Sequence, residues 1–168
     1  MSCFSDVNDS ILMWSYYANK HRGICVEYDL SQLDLELPFN RKIYESISRV
    51  NYSRHRANTV NAFPIDDTYL NLLLTKADVW SHEHEWRLIC ETQEEYIPLS
   101  CVSGIYLGVN FNTNSDIYKE LLEVSNTYDS LKIYKMKLDT QEYKLNIDEI
   151  YDTSFYHAFQ EFKETSDK

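Results

Sequence analysis

Two glutamates, Glu83 and Glu85, stand two positions apart in the segment KADVWSHEHEWRLICE, which runs from residue 76 to residue 91. Residues at i and i+2 of an extended chain share one face and lie roughly 6–7 Å apart. Two carboxylates at that distance repel each other when both are ionised, so the pair needs a nearby cation, donor or ligand. The spacing predicts either a polar site that binds or activates a molecule or a solvated strand edge.

Arg87 follows Glu85 at the same i+2 spacing and has two interpretations. Its planar guanidinium would suit a ligand phosphate, which it can grip with two parallel hydrogen bonds. It would equally form an ion pair with Glu85 that braces the strand against a neighbour. Exposed pairs contribute only about 0–1 kcal/mol, so a buried and hydrogen-bonded version would itself indicate a site.

Histidines are the next candidates. His82 and His84 lie in the run HEHE, but two histidines supply half of a tetrahedral zinc site. Neither HExxH nor a cysteine pair completes the ligand set, so no metal is predicted. His21 follows the first predicted helix, where it would serve as an acid or base near neutral pH. Alternatively, the helix dipole alone favours a histidine at that end.

The overall composition excludes several classes of protein. The 168 residues are 43% hydrophobic and 26% charged, the balance of a soluble globular domain. A net charge of −11 repels phosphates, so nucleic acid is not an expected partner. The chain has no signal-peptide core and no apolar run long enough for a membrane span. Its four scattered cysteines without a CxxC pair favour a reducing cytoplasm.

The first half of the chain alternates helical and extended patterns. Residues 9–20 predict a helix capped by Asp9 or Ser10, and Gly23 follows it. Ile24 to Tyr28 predicts a strand. Residues 30–40 are typical of a loop, and 41–50 are ambiguous before a short strand near 50–52. A second helix is predicted from Asp66 to about Ala77, with four residues pointing inward: Tyr69, Leu70, Leu73 and Leu74.

The second half predicts strands over 85–91, 96–99 and 102–109. An amphipathic helix follows, with Asn114 or Ser115 as cap and four apolar residues: Ile117, Leu121, Leu122 and Val124. Two further strands, the second with Leu145 and Ile147 inward, precede a short C-terminal helix. These patterns predict an α+β fold with a mixed or antiparallel sheet and a few packed helices, as a single domain over 1–155. Residues 156–168 are expected to form a helix end and a charged tail.

Three stretches resemble one uncharacterised bacterial family, a domain of unknown function. They are CFS at 3–5, MWSYYANKHRG at 13–23 and KADVWSHEHEWR at 76–87. The family pattern is Cys-Phe-Ser, then Met-Trp-x-x-Tyr-Ala-x-x-His-x-Gly, then Lys-x-x-x-Trp-x-x-Glu-x-Glu-x-Arg. SGIYLG at 103–108 is similar to a later element of the family, and the resemblance extends to about residue 150.

Members of that family carry a further segment upstream of the Cys-Phe-Ser strand. In this chain that strand begins at once after Met1. The resemblance therefore implies either a truncated member or half of a site whose remainder lies on another chain. In both cases it leaves an unpaired sheet edge through which a homodimer could form.

The chain also has a more distant likeness to ADP-ribosyltransferases, which act on a nicotinamide dinucleotide. Ser5, the strand after Gly23 and the Glu83/Glu85 pair follow one another in the order of that fold. The likeness implies that Glu85 accepts the ribose 2′-hydroxyl and stabilises an oxocarbenium-like transition state. Glu83 would position the acceptor, and Ser5 would donate a hydrogen bond nearby.

The same likeness implies that NAD is a substrate and that no cofactor is bound. It also implies which further side chains line the ligand site. Tyr17 or Trp80 would stack on the nicotinamide ring, His21 would line the site, and Arg87 would hold phosphate. The alternative is a non-catalytic binding domain, or an accessory domain in phage defence or a toxin system. In that case the Glu/Arg/Trp cluster braces the core, since large aromatics are more often core residues, and the acidic surface recruits a basic partner.

Overall fold

The structure is a computed structural model that describes residues 1–57, 65–90, 99–128 and 130–151. Its helices are α1 (Ile11–Tyr17), α2 (Pro38–Glu45), α3 (Ile65–Leu74) and α4 (Asp116–Thr127), with short 3₁₀ turns at Leu30–Gln32 and Asp78–Glu83. Its strands are β1 (Ser2–Ser5), β2 (Ile24–Tyr28), β3 (Ile47–Arg49), β4 (Asn51–Ser53), β5 (Thr75–Ala77), β6 (Glu85–Leu88), β7 (Val102–Leu107), β8 (Lys132–Leu138) and β9 (Leu145–Tyr151).

These strands form three sheets. One is antiparallel in the order β1-β6-β3, and a small parallel pair joins β4 to β5. The largest has the order β2-β7-β8-β9, in which β7 and β8 are parallel and the outer pairs are antiparallel. Helices together with antiparallel and mixed sheets confirm the predicted α+β class.

The chain separates into two compact units. Unit 1 comprises Met1–Asn8 and Gln32–Pro98, and unit 2 comprises Asp9–Ser31 and Leu99–Lys168. Unit 1 contains the sheet β1-β6-β3 and the pair β4-β5, whereas unit 2 contains the four-stranded sheet. The expectation of one domain over 1–155 stays a prediction.

In unit 1 the structure departs from three local predictions. Helix α2 takes the last three residues of the expected loop and the first five of the ambiguous stretch, and it begins at Pro38 because proline suits a first helical position that needs no N–H donor. Helix α3 ends at Leu74 rather than Ala77, and the next three residues pair with β4 as strand β5. Tyr69 and Leu70 are exposed instead of inward, while Leu73 and Leu74 are half-buried.

Unit 2 has apolar clusters on both faces of its sheet. Trp14 of α1 packs in one buried cluster, whose other members are Ala18, Tyr106, Met136 and Leu145. Leu122 of α4 packs in the other, with Ile105, Leu107, Leu131 and Ile133. Successive residues of β7 alternate between the two clusters, as side chains of a strand must. The sheet is thus covered by α1 on one face and α4 on the other.

The caps of these two helices agree with the sequence. The Ser10 hydroxyl accepts a hydrogen bond from the Met13 amide at 3.4 Å, and Ser115 caps α4 through the Tyr118 amide at 3.3 Å. Leu145 is buried as expected, but Ile147 is exposed, so its predicted inward position was wrong. Most of the predicted strand at 96–99 lies outside the described residues. The whole of the predicted C-terminal helix also lies outside them.

Candidate functional site

Lys76 in β5 is the cation that the two glutamates require. Its Nζ atom donates to Oε2 of Glu83 and, at 2.8 Å, to Oε2 of Glu85. Both acids are buried, with only 4% of Glu83 and 5% of Glu85 exposed. A single ammonium group therefore joins two carboxylates that lie away from water.

The backbone between the two acids is not extended. Glu83 ends the 3₁₀ turn, and His84 caps that turn in the left-handed region with a φ of 49°. Only Glu85 belongs to β6. The predicted arrangement on one strand face was therefore wrong, and the acids converge because Lys76 holds both of them.

Arg87 binds the other side of Glu85. Its Nε atom donates to Oε1 at 2.7 Å, and Nη2 donates to Oε2 at 3.2 Å. Its Nη1 atom donates to the carbonyl oxygen of Leu73 in α3. Glu85 and Arg87 are two residues apart in β6, so their side chains lie on the same face of the strand. This placement allows the two parallel hydrogen bonds between the guanidinium group and the carboxylate. We call Lys76, Glu83, Glu85 and Arg87 the buried charge cluster; its two acids and two bases sum to zero formal charge.

The charged state of the cluster follows from its contacts. Burial opposes ionisation of Glu85, but hydrogen bonds from Arg87, Lys76 and the Cys3 thiol lower its pKa to about 2. The hydrogen bond to Glu85 raises the pKa of Arg87. Burial works against the charge of Lys76, yet the hydrogen bonds to both glutamates leave its pKa raised. These three groups are therefore ionised at neutral pH.

Two hydroxyl groups hold the backbone of the acids. The Glu85 amide donates to the Tyr52 hydroxyl at 2.8 Å, and Ser5 Oγ donates to the Glu83 carbonyl oxygen at 2.7 Å. Ser5 is also the partner of Glu85 in the β1–β6 register. Ser5 thus positions the backbone beneath the cluster. Tyr52 was missed by sequence reasoning, since one tyrosine among 14 carries no local signal.

Trp80 lies beside the cluster and is partly exposed. The Lys76 ammonium is 5.5 Å from the centre of its ring, within the range of a cation–π contact. The centres of the His82 and Trp80 rings are 5.9 Å apart. Trp80 therefore lies next to Lys76 at the surface instead of filling the core.

The two histidines of the HEHE run have separate partners. His82 Nδ1 is 3.1 Å from the Val79 carbonyl oxygen, whereas His84 Nδ1 is 3.0 Å from Oδ1 of Asp6. The indole N–H of Trp86 donates to the other oxygen of Asp6 at 3.0 Å. Within the described ranges, no three His, Cys, Asp or Glu side chains are grouped to hold a metal ion.

Tyr17 and His21 belong to unit 2, whereas Ser5, Trp80, Glu83, Glu85 and Arg87 belong to unit 1. Tyr17 is exposed at the end of α1. His21 has a φ of 64°, and its Nε2 atom is 2.9 Å from Ser15 Oγ. Of the predicted site residues, the structure thus joins Glu83, Glu85 and Arg87 directly, with Ser5 and Trp80 at their border.

Comparison with known proteins gives one family. Residues 13–88 match the model of a family described as a protein of unknown function (DUF2971), which confirms the predicted resemblance over that range. The range contains the motifs at 13–23 and 76–87, while the CFS and SGIYLG stretches lie outside it. No curated protein and no solved structure matches the chain. Among the described helices, none has the length and apolar character of a membrane span.

Proposed function

We propose that this chain, whose residues 13–88 match a family of unknown function, is a non-catalytic binding domain in which the buried charge cluster braces unit 1. The observation that carries the proposal is the set of donors around Glu85. Two come from Arg87 and one from Lys76. A carboxylate has about four lone-pair positions, so these three donors occupy most of those that a ribose hydroxyl would need.

The balance of charge supports the same proposal. A site that stabilises a cationic transition state carries unpaired negative charge towards its substrate. Here each acid has a cation within hydrogen-bond distance, and Glu85 has two. Such a cluster presents no net formal charge to a substrate, but removing one member leaves a buried charge unpaired. That loss costs about 3–5 kcal/mol in buried pairs.

The partner that suits this domain is basic. A net charge of −11 attracts cationic surfaces and accelerates their association at low ionic strength. The described cysteines are free thiols, as expected for a domain that works in the reducing cytoplasm, and we include that location in the proposal. An accessory role in phage defence or a toxin system stays a prediction from the sequence.

The competing proposal is the ADP-ribosyltransferase-like enzyme. It requires Lys76 and Arg87 to release Glu85 when a dinucleotide binds. The two acids and the partly exposed Trp80 beside them are what favour it. Its predictions differ sharply from those of the binding domain, because a catalytic glutamate contributes to turnover and a bracing one contributes to stability.

The test compares Glu85→Gln with Glu142→Gln, which alters a solvent-exposed pair with Lys144. For the binding domain, Glu85→Gln lowers Tm by on the order of 10 °C and the control changes it little. Neither the wild type nor a variant releases nicotinamide from NAD, and calorimetric titration with NAD shows no heat. Nicotinamide release by the wild type that Glu85→Gln abolishes, with Tm nearly unchanged, would overturn the proposal in favour of the enzyme.

A further inference from the structure

Helix α4 exposes an apolar stripe, of which Leu121 alone also packs against the core. Ile117, Leu121 and Val124 follow one another at spacings of four and three, which places them along one line of the helix. Tyr128 follows Val124 by four residues as the extended residue that caps the helix. Ile117 is 61% exposed, Val124 45% and Tyr128 61%, while Leu121 is half-buried. We call these four residues the α4 stripe.

The stripe lies to one side of the face that packs on the sheet. Leu122 and Ser125 are the buried residues of α4, and Leu122 contacts the cluster around Ile105 and Ile133. Successive residues of an α-helix are rotated by about 100° around its axis. The side chains of Leu122 and Ser125 therefore point roughly 90–100° away from the middle of the stripe. Leu121 and Tyr118 add to the contacts of Leu122 with the core, whereas Ile117, Val124 and Tyr128 remain exposed to another molecule.

Acidic residues border the stripe on the side away from the sheet. Asp116, Glu120 and Glu123 are exposed there. Lys119 is the one cation of the helix, and it binds Asp116 at 2.8 Å. The surface thus combines a line of apolar side chains with a flanking row of negative charge.

We propose that the α4 stripe and its acidic border bind a basic amphipathic helix of a partner protein; this rests on the binding function proposed above. Apolar residues of such a helix at i, i+3 or i+4, and i+7 would lie along the stripe. Lysine or arginine beside them would face Glu120 and Glu123, which adds electrostatic complementarity. A second copy of α4 would instead bring two acidic borders together, and like charges in contact oppose association.

The test uses the full chain and three fluorescent synthetic peptides of equal length. The first has leucine and lysine at amphipathic helical spacing, the second is a scramble of it with the same charge, and the third replaces lysine with glutamate. Anisotropy titration should give binding of the first peptide, a Kd at least about tenfold higher for the scramble, and no binding of the acidic peptide. Raising the salt concentration should weaken the first complex.

Matched variants locate the complex on the protein. Val124→Ser should raise the Kd of the amphipathic peptide by about fivefold or more, since contacts that matter contribute on the order of 1 kcal/mol. The control Val79→Ser makes the same change at a residue that is 70% exposed in unit 1, and should leave the Kd unchanged. Glu120→Lys combined with Glu123→Lys should weaken binding and flatten its salt dependence. Circular dichroism confirms that the variants are folded.

The outcomes separate this inference from the function on which it rests. Equal binding of the amphipathic and scrambled peptides, or no effect of Val124→Ser, would overturn the assignment to the stripe while leaving a basic partner in place. Self-association in sedimentation that Val124→Ser abolishes would assign the stripe to a second copy and overturn the inference. Dinucleotide turnover that depends on Glu85 would overturn the binding function itself.

Discussion

The Nζ atom of Lys76 lies 2.8 Å from Oε2 of Glu85 and also donates to Oε2 of Glu83. One ammonium group therefore compensates two buried carboxylates, and it does so from a strand in a different sheet from that of Glu85. Arg87 compensates only Glu85. Lys76 is thus shared by the two acids, whereas Glu85 has Arg87 as a second cation.

Replacing Lys76 should reveal how much this shared cation contributes. Lys76→Met removes the ammonium group that both buried acids bind and is expected to lower the free energy of unfolding by about 3–5 kcal/mol at pH 7. Adding Glu83→Gln to Lys76→Met should restore part of the loss, since the uncompensated charge is removed. Urea unfolding of the wild type, both single variants and the double variant measures the coupling. Strictly additive effects would show that the two side chains do not interact.

Arg87→Lys tests the geometry of the fork rather than its charge. Lysine keeps the positive charge but loses the paired hydrogen bonds to Glu85 and the contact with the Leu73 carbonyl. We expect a loss of about 1–3 kcal/mol in the free energy of unfolding, measured by urea denaturation.

The matched control for that variant is Arg54→Lys. Arg54 forms its 2.9 Å contact with Asp78 at the exposed surface, so the same substitution should change stability by less than about 0.5 kcal/mol. An equal effect of the two variants would mean that burial of the Arg87–Glu85 contact adds nothing to the free energy of unfolding.

Stability should fall in acid because of Glu85. Burial opposes its charge, but its hydrogen bonds lower its pKa from the ordinary value of 4.5 to about 2 in the folded protein. Between these two values the unfolded chain binds the proton and the folded chain does not. The contribution of Glu85, about 3 kcal/mol, is therefore complete above pH 4.5 and lost as the pH falls towards 2.

Urea unfolding at a series of pH values measures this slope. Glu85→Gln should flatten the dependence of stability on pH in that window. The control Asp116→Asn should leave the slope nearly unchanged, because Asp116 and Lys119 are solvent-exposed and screened. An unaltered slope in Glu85→Gln would contradict the assignment of the low pKa to this residue.

Local signals in the sequence predicted the parts of the fold that local contacts determine. The strand Ile24–Tyr28 has the predicted bounds, and the serines at 10 and 115 cap their helices as expected. A cap and a strand pattern are properties of a few adjacent residues. Local signals could not predict the exposure of Ile147, because that exposure depends on which residues pack above the strand.

The candidate site was predictable only in part. The Glu85–Arg87 pair follows from the period of a strand, and the need for a cation follows from two nearby acids. The identity of that cation does not, because Lys76 comes from a neighbouring sheet. The hydroxyl of Tyr52 is 33 residues from the Glu85 amide that it binds. The left-handed φ of His84 also has no glycine or asparagine to signal it.

Gly104 within β7 and Gly108 directly after it should respond differently to alanine. A Cβ atom at Gly108 would overlap the carbonyl oxygen of His21 and stand 2.6 Å from its carbonyl carbon. These are backbone atoms, and the same His21 oxygen accepts a 2.8 Å hydrogen bond from the Asn110 amide. Gly108→Ala therefore cannot be absorbed by a side-chain movement, and we expect it to lower the free energy of unfolding by about 3 kcal/mol or more.

At Gly104 the obstacles are side chains. A Cβ atom there would stand 2.9 Å from Oε2 of Glu27 and 3.1 Å from the ring of Tyr134. Glu27 accepts a 2.5 Å hydrogen bond from Tyr106, so moving it has a cost, but a carboxylate can rotate where a backbone carbonyl cannot. Gly104→Ala should therefore cost about 1–2 kcal/mol, less than Gly108→Ala. Urea unfolding ranks the two variants, and the reverse order would contradict the close approach of β7 to the turn at His21.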